Sequence, residues 1–120
     1  MSGWLYGRFL LKEDVLDTYQ LIAQAIQKKQ QVIAAYHGYR REMCPHTLGR
    51  SRSGRRQALF YQFAGESSSG LAPDGWPDNW RCIPIDALSD IGVRDGDWHT
   101  SPIHTQLQTC VYYVEVEVTY

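Results

Sequence analysis

Arginine is the residue through which this chain could do chemistry. Six of its nine arginines, Arg40, Arg41, Arg50, Arg52, Arg55 and Arg56, fall in a window that contains one acid, Glu42. That window carries +5 in a chain of net charge −1, so the remainder is acidic. A guanidinium is a permanently charged, planar fork of donors that matches phosphate or carboxylate. Several of them together, with acids nearly absent, suit a phosphate-rich ligand, and single-strand binders use such a track. Arg81 is a further candidate on a later segment. Arg40 and Arg41 are neighbours in a predicted strand, where alternate residues face opposite sides. One of the two is therefore expected in a site and the other on the surface. Tyr36, Tyr39, Phe60, Tyr61 and Trp80 interleave with these charges. Aromatic faces stack bases at about 1–3 kcal/mol per base. Tyr39 and Tyr61 lead that group, although rings at these spacings also build cores.

Other chemistries are poorly supplied. Cys44 and His46 make one candidate metal pair, and His99 with His104 another. No Cys-x-x-Cys exists, and the two histidines fall in a predicted loop rather than on a helix. Ser67, Ser68 and Ser69 before Gly70 lack the strand–turn–helix setting of a hydrolase nucleophile, and read as flexible loop. The same Gly-Ser stretch offers backbone amides to a phosphate only weakly. Asp86 and Asp90 could pair as acid and base, but Asp86 is better read as the cap of a short helical turn. The expectation is a binding protein rather than an enzyme, with no metal and no cofactor.

The elements that must position these residues come from periodicity. A chain of 120 residues with 43% apolar content is one domain, residues 1–120, large enough for a core. No apolar run approaches about 18 residues, so no membrane span is expected. The first residues lack the basic region and cleavage site of a signal peptide. Three cysteines without close pairing suggest reduced thiols, a cytoplasmic location and folding without a disulfide. Residues 13–29 form a predicted helix, with Val15, Tyr19, Ile22 and Ile26 on one face. Glu13, Asp14 and Asp17 at its start and Lys28 and Lys29 at its end suit the helix dipole.

Residues beyond about 31 read as β. Strands are predicted over 32–36, 39–43, 57–63, 80–84, 90–93 and 109–119. His37-Gly38 makes the first hairpin turn, and Pro45 is expected to end that hairpin. Residues 49–54, 65–79 and 95–102 read as loops, and 85–88 as a short helical turn. In the last strand Val114, Val116 and Val118 alternate with Glu115 and Glu117. One helix followed by five or six short strands suggests a mainly β fold, a small antiparallel barrel.

The order of three motifs within residues 25–91 resembles the WYL domain, a bacterial ligand-sensing module with a small SH3-like or Sm-like barrel. They are Tyr36-x-Gly38-x-Arg40, Pro45-x-x-Leu48-Gly49, and Trp80-Arg81 followed by Ile85-Asp86. The segment is about half the chain. The Trp-Tyr pair that names that family stands here as Gln57-Ala58, and Ala87 replaces the arginine after Ile-Asp. The resemblance implies a regulatory role, with nucleic acid or a nucleotide held in a basic pocket. The pocket would use Arg40 or Arg41, His46 and Arg81, with the basic loop beside it. A different reading is an assembly module or accessory subunit. An open last strand would invite a second copy, giving a homodimer or larger homo-oligomer.

Overall fold

A computed structural model describes residues 17–102 and 110–119. The described residues are mainly β, with one complete helix followed by six strands. The helix α1 spans Thr18–Lys28. The strands are β1 (Gln31–Tyr36), β2 (Tyr39–Arg50), β3 (Arg56–Gly65), β4 (Trp80–Pro84), β5 (Ser89–Arg94) and β6 (Tyr113–Glu117). Short 3-10 turns cover Pro77–Asn79 and Ile85–Ala87.

Asp17, expected inside the helix, is its N-cap. Its carboxylate accepts from the Gln20 amide at 2.8 Å, and the Gln20 side chain accepts from the Asp17 amide at 3.3 Å. This reciprocal pair satisfies two donors that a helix start leaves open. Lys29 closes the other end in the left-handed conformation. The apolar face buries Ile22, Ala25 and Ile26. Val15, Glu13 and Asp14 lie outside the described residues.

The strands pair antiparallel in the order β4-β3-β2-β1-β5, and β6 pairs with β2. The sheet curls around one core. Ile83 from one end of that order packs in the same cluster as Ile91 and Val93 from the other. Closure is not reached, because β4 and β5 do not pair with each other.

Pro45 does not end the hairpin as expected; β2 runs through it for 12 residues. The reason lies in the pairing. On one side β2 holds β3 along its length. On the other side it holds β1 through residues 39–43 and β6 through residues 47–50. Pro45 sits in the gap between these partners, at a bulge between Pro45 and Thr47. A bulge is where a strand tolerates a residue without an N–H. Gly49 then lets β6 approach, since a side chain there would strike the backbone carbonyl of Tyr113.

Alternation along β3 separates two packed faces. Ala58 and Phe60 join the main core with Val32, Met43, Leu48 and Ile83. Leu59 and Tyr61 face the other way, against Trp80, Cys110 and Val111. On that second face Cys82 and Cys110 form a disulfide, with Cα atoms 5.9 Å apart. This corrects the expectation of three reduced thiols. The two cysteines are 28 residues apart, and only the placement of β4 beside the segment before β6 brings them together. Cys44 is the free cysteine among the described residues, and burial pushes its thiol up to about 11.

The last strand also differs from its reading. Val116 and Val118 pack on the main core, but Val114 is exposed. The pairing slips between Leu48 and Gly49, where Gly49 meets Val114 and Leu48 meets Val116. The bulge breaks the alternation that the sequence suggested. Asp86 makes no capping bond at the turn Ile85–Ala87. No helix among the described residues is long and apolar enough to cross a membrane.

Candidate anion site

The arginine window is divided between the two ends of the sheet. β3 makes the division clear: Arg56 begins it and Gln62 lies six residues along, roughly 20 Å at strand rise. At the Arg56 end stand the turn arginines. At the Gln62 end stand Arg41 and Arg81.

The turn arginines are mostly engaged. Arg50 pairs with Glu115 at 3.5 Å and donates to the Gly54 carbonyl. Arg55 pairs with Asp86 at 3.2 Å, with both side chains exposed. Arg52 lies over the exposed ring of Tyr112 at 4.5 Å, and Arg56 over Tyr19 at 4.6 Å. Exposed pairs of this kind contribute little to stability. Their distance from Arg81 means they do not share its site.

The Gln62 end is different. Arg41 is 3% exposed. The strand alternation points it inward beside Met43, while Arg40 points out and pairs with Glu42. Arg41 donates from Nη1 to Gln62 Oε1 and from Nη2 to the Tyr36 carbonyl, both at 3.3 Å. Its Nε is buried without a partner. The rings of Tyr36 and Tyr39 cover the guanidinium at 5.0 and 5.8 Å. Arg81 Nε donates to the same Gln62 Oε1 at 3.2 Å. Two cations thus meet on one amide oxygen, and among the described residues neither forms an ion pair with a carboxylate.

The electrostatics follow from this. Burial lowers the Arg41 pKa from its ordinary value, and the two tyrosines oppose that shift. Arg81 is lowered by burial first and by the charge of Arg41 second, with Tyr61 and Asp78 opposing. A guanidinium remains charged at neutral pH, so the arrangement keeps two mutually repelling cations.

Arg81 has a second task. Nη1 donates to the carbonyls of Asp78 and Trp80, and Nη2 to Gly70 and to Ser67 Oγ. It clamps the 65–79 loop over the end of the sheet, so its hydrogen-bonding capacity is already used. Gln62 is fully buried. Its amide nitrogen donates to the carbonyls of Ala64 and Glu66, which fixes its oxygen toward the two arginines. Gly65 permits this bend, because a side chain there would strike the Arg40 carbonyl.

The other expected residues divide. Tyr39 borders the site and is half-buried. His46 is buried at the β2 bulge, with Nδ1 at 2.9 Å from the Cys44 carbonyl and Nε2 at 2.9 Å from Thr100 Oγ1. It packs against Trp80 and Trp98. Tyr61 is fully buried, and its hydroxyl donates to the Trp76 carbonyl at 3.0 Å. Phe60 is also fully buried, and Trp80 nearly so. These rings are in the core; Tyr36 and Tyr39 are the two of the five left near solvent. Gln62 was not among the expected site residues. A neutral amide between apolar strand positions gave no sign of its role until its neighbours were known.

Among the described residues no group of three His, Cys, Asp or Glu side chains is placed to hold a metal. His99 Nδ1 instead meets Asp74 at 2.7 Å, and the Cys44 sulfur accepts from the His99 amide. His104 lies outside the described residues. No known protein family, no curated protein and no solved structure matches the chain.

Proposed function

We propose that this protein is a non-enzymatic module that binds a phosphate-bearing ligand, such as nucleic acid or a nucleotide, at Arg41. The observation that carries this reading is the Arg41–Gln62–Arg81 arrangement. It contains a buried cation with an unpartnered Nε, a second cation on the same amide oxygen and, among the described residues, no carboxylate ion pair. An uncompensated buried charge is costly, and a bound anion would offset it. Arg41 supplies a buried charge whose Nε has no partner. Arg81 supplies charge and holds the loop. Tyr36 and Tyr39 offer faces on which a base could stack. The resemblance to WYL modules, which implies a basic ligand pocket, points the same way.

The test is a thermal-shift and fluorescence-anisotropy titration with a labelled single-stranded oligonucleotide and with inorganic phosphate, at fixed ionic strength. The proposal expects saturable binding and a rise in Tm for the wild type. Arg41→Met should abolish both. Arg81→Lys keeps the charge but loses the fork, and should weaken binding while loosening the loop. Unchanged affinity in Arg41→Met would overturn the assignment.

A second reading has its own observation. Among the described residues β6 pairs on one side only, and Tyr112 beside it and Tyr113 and Val114 within it are each about half exposed. An open edge with apolar side chains is a template for a second copy. Light scattering at high concentration checks it: a dimer lost on Val114→Lys supports assembly, and a monomer throughout rejects it. The cytoplasmic placement drawn from the sequence rested on reduced thiols, and the Cys82–Cys110 bond removes that support.

A further inference from the structure

The two sulfurs of the Cys82–Cys110 bond differ in their access to solvent. Cys82 is exposed, whereas Cys110 is buried. Cys82 lies on β4, which among the described residues is an edge strand paired only with β3. A thiolate cleaves a disulfide by attacking one sulfur and expelling the other, and access decides which one it reaches. Here the open sulfur is that of Cys82, and Cys110 is the leaving group. A donor already stands beside the bond. The Gln57 amide nitrogen donates to Cys82 Sγ at 2.7 Å and to the Cys110 carbonyl at 3.3 Å, and lies 4.0 Å from Cys110 Sγ. A thiolate released there meets an N–H donor, and hydrogen bonds to ionised acceptors are the stronger kind.

The segment that the bond ties down is packed unevenly. Next to Cys110, Val111 packs on the cluster of Leu59, Tyr61 and Trp80, and the Tyr112 amide donates to the Arg50 carbonyl at 2.9 Å. Tyr112, Tyr113 and Val114 are each about half exposed and bury little. The contacts of Arg50 with Glu115 and of Arg52 with Tyr112 lie at the surface, where such pairs hold weakly. Past the slip beside Gly49 the packing changes. Val116 and Val118 rest on the main core, and the Val118 amide donates to the His46 carbonyl at 2.8 Å. The strand thus has a far half held by the core. Its near half is held, among the described residues, by one buried valine, a few backbone bonds and the disulfide.

We infer that Cys82–Cys110 is an exchange site, opened by an external thiol at Cys82, and that opening it loosens residues 110–114 while residues 116–118 stay on the core. The external thiolate forms a bond to Cys82 Sγ as the Cys82–Cys110 bond breaks. Cys110 leaves with the electron pair and takes the proton that the first thiol gave up. A second external thiolate then attacks the external sulfur of the mixed disulfide, and Cys82 leaves and is protonated in turn. The net change is two thiols oxidised to one disulfide and the protein bond reduced by two electrons. Cys44 is buried and takes no part. Nothing in this inference rests on the Arg41 site.

The experiment has two readouts on the full, natively folded chain. In the first, oxidised protein is exposed briefly to reduced glutathione, trapped with iodoacetamide and mapped by mass spectrometry. The expected product carries glutathione on Cys82 and the alkyl group on Cys110, with Cys44 unmodified. In the second, amide hydrogen exchange is followed by NMR before and after dithiothreitol. Local opening is expected to speed exchange at the Tyr112 amide about tenfold more than at the Val118 amide. Cys82→Ser/Cys110→Ser should show the fast Tyr112 amide with or without thiol. The inference is overturned if the bond resists millimolar dithiothreitol in the folded protein, or if glutathione lands on Cys110. It is equally overturned if Tyr112 and Val118 speed up together, or if Tyr112 stays slow in the double variant.

Discussion

On the proposed reading, Arg41 serves ligand binding rather than stability. A buried guanidinium that lacks a carboxylate and leaves Nε unmatched is an expense to the fold. Replacing it with an apolar side chain of similar length should therefore be tolerated. We expect Arg41→Met to leave the unfolding free energy unchanged or raise it by about 1 kcal/mol, read by urea denaturation. A loss of several kcal/mol would mean that Arg41 is a structural strut. Gln62 should behave oppositely. Gln62→Ala removes the shared acceptor of two cations, and should cost about 1–3 kcal/mol. At this scale the sequence was partly readable. Strand alternation required that one of Arg40 and Arg41 turn inward, and Arg41 does. It could not show that His46 and Tyr61 would be core, because a ring beside charges looks the same on either face of a strand.

The elements were largely legible where their period was uninterrupted. The helix, the His37-Gly38 hairpin, strand 80–84 and the short turn after it fall close to where periodicity placed them. The misses share one cause, which is long-range pairing. The run of β2 through Pro45 depends on β1 and β6 taking different halves of one edge. The exposure of Val114 depends on a slip beside Gly49. The disulfide depends on β4 meeting the segment before β6. None of these is local. The Cys82–Cys110 link closes a 28-residue separation, so replacing both cysteines with serine should cost about 2–4 kcal/mol. Calorimetry with and without reductant checks this, and equal Tm values would contradict it. Another cross-strand tie has a pH signature. Glu42 accepts from Arg94 at 2.5 Å and from Arg40 at 3.1 Å. The bond to Arg94 is the main cause that holds its pKa below the ordinary carboxylate value. A lowered folded pKa gives stability that is present above the ordinary carboxylate range and lost as pH falls through the folded value. Wild type should therefore lose stability in acid faster than Glu42→Gln, by thermal melts across pH 2–7 (a range of roughly that span suffices). Parallel pH profiles would show that Glu42 contributes nothing there.

Across the whole molecule, the arginines read as one cluster in the sequence become two groups at opposite ends of a curled sheet. The +5 window is real, but its folded distribution is not one track. On the proposed reading a ligand at Gln62 would meet Arg41 and the field of Arg81, and the turn arginines lie too far along β3 to share it. That lowers the number of phosphates neutralised to one or two. Each contributes about −0.7 to the log–log salt slope for a single strand, so the slope should be about −1. The most direct measurement is that slope for a labelled single-stranded oligonucleotide, taken on wild type, Arg41→Met and the double variant Arg52→Ala/Arg55→Ala. The account predicts a slope near −1 for wild type, no measurable binding for Arg41→Met, and near-wild-type binding for the double variant. Binding that survives Arg41→Met but fails in the double variant would contradict it, and would place the ligand on the turn instead.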